Sequence, residues 1–215
     1  MRHFDDSIRE RLQRVCLVFA GVTVSSCCAT TVYRDPLSRA TFVDLDRAAI
    51  AKLQDADSEA RAIQAQPPLA ALVAAVVTWD HKSDPAPLTT DSGAQIYARV
   101  SAKFATATTF TAWSPFSPWS SAIAKDDAGG VIAVNRRKTA QFSVDDYVGT
   151  IFHELAHKAG YLHDGNARKG NECTVPHLLG DAAVVAAHKQ HTGHWGVLPS
   201  DACQALRVAL AAQRL

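Results

Sequence analysis

Apolar residues recur three and four positions apart along much of the chain, which is the spacing of one face of an α-helix. The first such stretch places Leu45, Ala49 and Leu53 on one side, with charged residues between them, and ends before Pro67. The predicted helices cover residues 44–64, 69–79, 95–104, 144–159 and 178–189, and a last helix follows Ser200 as its expected N-cap.

Signals for β-strands are fewer. Residues 106–113 are rich in threonine and aromatic residues, and residues 131–135 read Val-Ile-Ala-Val-Asn, a composition typical of strands. Residues 126–130 are predicted to form a turn. The chain has 215 residues, 47% of them hydrophobic, which suits one domain with a substantial core. The sequence therefore predicts an α+β fold, helix-rich with a small sheet, in a single domain over residues 41–215.

The first 26 residues have the features of a signal peptide. Arginines at positions 2, 9, 11 and 14 accompany an apolar run over residues 15–24, which is too short for a stable membrane span. Residues 24–27, Val-Ser-Ser-Cys, resemble a bacterial lipobox, in which Cys27 becomes the lipidated first residue. An ordinary secretory signal cut near Ala29 is the alternative. Either interpretation predicts a protein of the periplasm or cell envelope, with residues 27–40 as a linker and a membrane anchor if Cys27 is lipidated.

The cysteines support the same compartment. Cys16 lies in the leader, and Cys28 has no assigned role. Cys173 and Cys203 remain, and in an oxidising compartment we expect them to form a disulfide. Two buried free thiols are the alternative.

The charge of the chain excludes one class of partner. The formal net charge is +1, and no basic run is interleaved with aromatic residues. We therefore expect no nucleic-acid partner.

One predicted helix carries most of the candidate chemistry. Ser143 and Asp146 form a capping-box-like pair at its start. An apolar stripe then follows at helical spacing: Val148, Ile151, Phe152, Leu155 and Ala159. At about 100° per residue, His153 and His157 lie on nearly the opposite side, so the helix is expected to turn them toward a cleft.

The pattern of residues 153–164 is typical of a catalytic zinc site. Side chains four apart on a helix have Cβ atoms roughly 5–6 Å apart, so His153 and His157 present two imidazoles to one point. Gly160 can take a left-handed conformation, which lets the chain reverse and bring His163 back as a third ligand. Three protein ligands leave the fourth position for water. Glu154 lies one step round the helix and can reach that water without being a ligand.

The residues 153–164 fit H-E-x-x-H-x-x-G-x-x-H-D, which resembles the signature of the metzincin zinc peptidases in its adamalysin-type form. The resemblance implies a zincin-like domain that binds Zn²⁺ through His153, His157 and His163. It also implies Glu154 as general base in the hydrolysis of a peptide or protein substrate. A strand of the sheet would border the cleft and pair with extended substrate, a role that residues 131–135 could take.

The chain departs from that family in one respect. Metzincins carry a methionine in a tight turn beneath the zinc, whereas the only methionine here is Met1. We expect residues 174–180 to supply this floor instead, through Leu178 or Leu179.

Other residues near the motif have open roles. His177 either touches substrate and stabilises an oxyanion or is structural, and Tyr161 either packs or reaches the zinc site. Asp164 either orients an imidazole from outside the ligand shell or caps the turn. Glu172 is a rival third ligand, but Gly160 favours His163.

The sequence as a whole predicts an extracytoplasmic zinc-dependent metallopeptidase. Two alternatives remain. One is a zinc-binding lipoprotein without catalytic activity, and the other is a zinc amide hydrolase that acts on cell-wall material.

Overall fold

The computed structural model describes residues 30–37, 40–76, 91–115, 123–127, 131–163 and 170–214. The predicted leader, the lipobox at Cys27 and residue Asp164 lie outside these described residues.

The described part of the chain forms five strands and six helices. The strands are β1 (Val32–Arg34), β2 (Thr41–Val43), β3 (Thr109–Trp113), β4 (Ala124–Asp127) and β5 (Val131–Asn135). The helices are α1 (Arg47–Gln64), α2 (Pro67–Ala74), α3 (Gly93–Lys103), α4 (Val144–Lys158), α5 (Val175–Thr192) and α6 (Gln204–Ala212). The predicted helix-rich α+β fold with a small sheet is confirmed.

The sheet is mixed, with strand order β1-β2-β3-β5-β4. Strands β2, β3 and β5 run parallel to one another, and β1 and β4 run antiparallel to their neighbours at the two edges. Phe42, Phe110 and Ile132 lie at matching positions of the three parallel strands and are fully buried. The Phe42 and Phe110 rings stack with centroids 5.3 Å apart. One face of the sheet thus forms part of the hydrophobic core.

Strand β4 corrects two expectations. Asp126 and Asp127, predicted to lie in a turn, pair with Ile132 and Val131 in β4. The sequence of β4 is Ala-Lys-Asp-Asp, which has little β-propensity, so pairing with β5 and not local composition makes it a strand. Strand β5 therefore has a neighbour on each side, and its backbone is not available to substrate. That expectation was wrong, and β4 is the edge strand on this side of the described sheet.

Helix α1 holds the turn that precedes α4. The Asp46 side chain accepts the Ala49 N–H and begins α1 close to the predicted position. Lys52 then donates to the carbonyls of Thr139 and Phe142, both at 2.7 Å. These two bonds tie the turn before α4 to the side of α1.

Helix α4 forms as predicted. Ser143 accepts the Asp146 N–H at 3.1 Å, and Asp146 accepts the Ser143 N–H at 2.8 Å, so the capping box is complete. The residues of the predicted stripe from Val148 to Leu155 are buried, and Ala159 is partly buried against the core. His153 and His157, which lie outside this stripe, are only partly buried.

Helix α5 begins earlier than predicted. Residues 174–180, expected to form the floor beneath the site, contain the N-cap and the first turns of α5. The extended backbone of Thr174 and the proline at position 176 favour a helix start here. Leu178 and Leu179 are fully buried, so the floor beneath α4 is a helix and not a tight turn.

Helices α4 and α5 approach closely through two glycines. A Cβ at Gly149 would lie 2.8 Å from the Gly180 carbonyl oxygen, and one at Gly180 would lie 3.1 Å from the Gly149 carbonyl oxygen. A Cβ at Gly149 would clash with α5, and one at Gly180 would be crowded, so the two glycines allow the start of α5 to lie against the middle of α4.

The last helix begins later than predicted. Cys203 and not Ser200 is the N-cap of α6, and Ser200 lies in the preceding turn. Leu206 and Leu210 face the core as expected.

The predicted disulfide is confirmed, with the Cα atoms of Cys173 and Cys203 4.8 Å apart, and it joins the start of α5 to the start of α6. Each helix in the described ranges is too short or too polar to cross a lipid bilayer.

Candidate metal centre

Three imidazoles of the motif converge on one point. The Nε2 atom of His153 lies 3.1 Å from Nε2 of His157 and 3.2 Å from Nε2 of His163. The first two come from neighbouring turns of α4, and the third comes from the segment that follows the helix. The structure thus brings together the three histidines that the motif singled out.

This spacing fits one metal ion. With metal–nitrogen bonds of about 2.0–2.1 Å, two nitrogens of a tetrahedral site lie about 3.3 Å apart. The observed separations of 3.1 and 3.2 Å are close to that value. The donor set can therefore hold a metal ion without large movement of the rings.

Hydrogen bonds orient two of the rings for this purpose. Nδ1 of His157 lies 2.9 Å from the Tyr161 carbonyl oxygen, and because a carbonyl only accepts, Nδ1 carries the hydrogen. In the neutral ring, Nε2 then keeps its lone pair for a metal. His153 bonds to the backbone of Pro176, which has no N–H, so the histidine is the donor there as well. Lone pairs that face one another are favourable only around a cation.

Burial also favours the neutral form of His153. It lowers the pKa of His153 well below the usual value, and the neighbouring rings of His177, His157 and His163 lower it further. The neutral ring, which is the form that binds metals, is therefore favoured.

The reversal after α4 is made by Gly160. This residue has a φ of 98°, in the left-handed region that glycine occupies without strain. The Gly160 N–H donates to the His157 carbonyl at 2.9 Å, and the Tyr161 N–H donates to the Ala156 carbonyl at 3.1 Å. This pair of bonds is the Schellman arrangement, and it turns the Tyr161 carbonyl toward the His157 ring.

Tyr161 is anchored at its other end by Asp91, a residue that the sequence did not single out. The Tyr161 side chain is fully buried, and its hydroxyl donates to Oδ2 of Asp91 at 2.7 Å. Arg99 of α3 holds the same oxygen at 3.1 Å. The hydroxyl thus points to Asp91, and the carbonyl contacts His157. Asp91 precedes Tyr161 by 70 residues, so no local pattern could have revealed the contact.

His177 is a fourth imidazole at the centre. It lies in the first turn of α5, with its ring centroid 4.7 Å from that of His153 and 4.9 Å from that of His163. Ring nitrogens of His153, His163 and His177 all lie within 4.8 Å of one another. His177 therefore lies against His153 and His163, on the α5 side.

Two carboxylates of the region have different environments. Glu154 follows His153 on α4 and is only 3% exposed, so its side chain lies inside the protein. Glu172 accepts the Gly170 N–H at 2.9 Å through each carboxylate oxygen and is held within its own loop. Of the two, Glu154 is the buried one and the one on the same helix as His153 and His157.

Comparisons with known proteins add no relative. Models of protein families do not match this chain, and curated proteins and solved structures give no match either. The chemistry of the centre is therefore derived from its own residues, a group of histidines that can hold a metal ion.

Proposed function

We propose that this protein is an extracytoplasmic zinc-dependent hydrolase of metzincin-like type that cleaves peptide bonds. The observation that carries the proposal is the convergence of His153, His157 and His163 at Nε2–Nε2 separations of 3.1 and 3.2 Å. These are the histidines of H-E-x-x-H-x-x-G-x-x-H-D, the pattern that resembles the metzincin signature.

Zinc is the ion that best suits the donor set. Imidazole nitrogen is a preferred ligand of Zn²⁺, and three protein ligands with an open fourth position are the catalytic arrangement. When bound, zinc lowers the pKa of a coordinated water toward ~7 and polarises a substrate carbonyl.

Residues of the chain supply the proton transfers. Glu154 takes a proton from the attacking water and passes it to the leaving amine. Its burial at 3% exposure supports this role, because a carboxylate in a low-dielectric setting interacts strongly with nearby charge. His177 faces the same centre from α5 and donates to the oxygen that gains negative charge in the transition state.

The edge strand β4 takes the substrate-binding role first expected for β5. It lies at the end of the described sheet, runs antiparallel to β5 and contacts α4. An extended peptide can add to such an edge through backbone hydrogen bonds. The proposed substrate is therefore a peptide or protein segment in extended conformation.

The proposed location is the periplasm or cell envelope, with Cys27 as a lipid anchor. The disulfide between Cys173 and Cys203 supports an oxidising compartment. The apolar run and small residues before Cys27 support export.

The test is Glu154→Gln in the purified protein. Zinc content by elemental analysis is expected to stay at the wild-type level, because the residue is not a ligand. Cleavage of a broad peptide library, sensitive to a chelator in the wild type, is expected to disappear. Glu172→Gln is the matched control and should leave both unchanged. Full activity in Glu154→Gln would refute the assignment of the base.

A zinc-binding lipoprotein without activity is the second candidate, and the absence of a methionine from residues 2–215 favours it. Stoichiometric zinc with no cleavage of peptides or peptidoglycan would support it. Cleavage of peptidoglycan but not of peptides would instead indicate a zinc amide hydrolase of the cell wall.

A further inference from the structure

A second group of metal-binding side chains lies where α1, α4 and α5 meet. Glu59 comes from α1, Asp145 from the first turn of α4, and His188 and His191 from the last turns of α5. Asp145 precedes His153 and His157 by two to three helical turns, about 12–18 Å along the axis. The group is therefore separate from the proposed catalytic centre.

Three of these side chains converge at ligand distances, and His188 lies next to one of them. Nε2 of His191 lies 2.7 Å from Oε1 of Glu59 and 3.6 Å from Oδ1 of Asp145. Nδ1 of His188 lies 3.8 Å from Oδ2 of Asp145. The ligand atoms of Glu59, Asp145 and His191 all lie within 4.8 Å of one another. With metal–ligand bonds of about 2.0–2.2 Å, ligand atoms of one site lie about 2.8–4.4 Å apart, so small adjustments suffice.

Burial and charge distinguish this group from an ordinary surface ion pair. The Glu59 side chain is only 9% exposed, yet its carboxylate is directed at the same imidazole as that of Asp145. Two carboxylates that share one imidazole repel each other, and a divalent cation between them removes the repulsion. The imidazoles are about half exposed, which leaves room for water to complete the coordination.

We propose that Glu59, Asp145, His188 and His191 form a second metal site, which binds a divalent transition-metal ion and cross-links α1, α4 and α5. Two imidazoles with two carboxylates suit borderline ions such as zinc and not calcium, which prefers oxygen ligands only. His188 and His191 are three residues apart on α5, so they lie on one face of the helix. The bound ion would fix the start of α4 to the end of α5.

The test is isothermal titration of zinc into the full chain after removal of metal by a chelator. Wild type is expected to bind two equivalents. His191→Ala is expected to bind one, and the double variant His153→Ala/His157→Ala is also expected to bind one, now at the second site. His194→Ala removes an exposed histidine just beyond α5 and is the control, expected to bind two.

The double variant separates this proposal from the proposed function. If the catalytic centre binds no metal, the double variant and wild type still bind one equivalent each, and His191→Ala binds none. Zinc is also expected to raise the melting temperature of the double variant, and adding His191→Ala to it should abolish that rise. If the double variant binds no zinc, the second site is refuted.

Two further measurements guard against ambiguous results. If His191→Ala fails to fold, Glu59→Gln carries the test, because it keeps the shape of the side chain and removes its charge. Glu59→Gln should weaken the affinity of the second site for zinc by about 10–100-fold or more. Loss of an outer partner of a metal ligand already produces an effect of that size. Binding of calcium in place of zinc would overturn the assigned class of ion.

Discussion

The His157 ring shows how much of the centre depends on residues outside the motif. Its Nδ1 is held by the Tyr161 carbonyl, and the Tyr161 hydroxyl is held by Asp91. A motif specifies which residues are present, but the tautomer of an imidazole depends on the acceptor at its second nitrogen. Asp91 therefore positions a proposed metal ligand through Tyr161.

Tyr161→Phe tests this relay. Removing the hydroxyl deletes the hydrogen bond from Tyr161 to Asp91. We therefore expect the free energy of unfolding to fall by about 1–3 kcal/mol. Zinc affinity should fall about 10-fold, as for other outer partners of metal ligands. Urea denaturation and competition with a chromophoric chelator measure the two effects. Tyr33→Phe, at a tyrosine 43% exposed, is the control and should change neither. Unaltered zinc affinity in Tyr161→Phe would contradict the relay.

His177→Ala tests the fourth imidazole. If His177 stabilises the oxyanion, zinc content should stay at the wild-type level, and kcat should fall about 100-fold with little change in KM. Loss of one equivalent of zinc would show instead that His177 is a ligand. Unchanged zinc content and kcat would mean that the ring only packs against its neighbours. His194→Ala is again the control.

At the scale of elements, the contact between α4 and α5 decides the shape of the centre. Gly149 and Gly180 let the two backbones approach, and a Cβ added at Gly180 would lie 3.5 Å from the Cβ of His153. The floor that the sequence assigned to residues 174–180 is therefore the start of a helix that packs against α4. Its position depends on two glycines whose meaning is visible only when both helices are in place.

Gly149→Ala should separate the two helices. The added methyl would lie 2.4 Å from Val184 Cγ2 and 2.8 Å from the Gly180 oxygen, and the backbone oxygen has little freedom to move. We expect a loss of about 1–3 kcal/mol in unfolding free energy, as for other overpacked cores, and weaker zinc binding. Chemical denaturation and zinc titration provide the readouts. Gln190→Ala, on the exposed side of α5, should be neutral, and a neutral Gly149→Ala would contradict the close contact.

At the scale of the whole molecule, the disulfide joins the two segments that enter α5 and α6. Cys173 immediately precedes the N-cap of α5, and Cys203 is the N-cap of α6, at a sequence separation of 30. The bridge therefore restrains the start of α5, the turn that carries His177.

The double variant Cys173→Ser/Cys203→Ser measures this restraint. Chain entropy for a loop of this length predicts a loss of about 3–4 kcal/mol in unfolding free energy. The midpoint of urea denaturation should fall accordingly. A reductant should lower the wild-type midpoint to that of the variant and leave the variant unchanged. If reduction leaves the wild-type midpoint in place, the bridge does not stabilise the fold.

Local chemistry explains what could be predicted. The capping box of Ser143 and Asp146, the apolar stripe of α4 and the reversal at Gly160 all involve residues within a few positions of one another. Covalent geometry relates such residues, so their arrangement follows from order along the chain. The convergence of His153 and His157 has the same origin.

The tertiary structure decided the rest, because the contacts concerned join distant parts of the chain. Strand β4 exists through its pairing with β5, and its own residues do not favour a strand. Asp91 reaches Tyr161 across 70 residues, and His177 reaches His153 through the packing of α5 on α4. Sequence alone determined which side chains this protein can offer to a metal ion. Packing between elements determined what surrounds them, because only the folded chain sets the distances between elements.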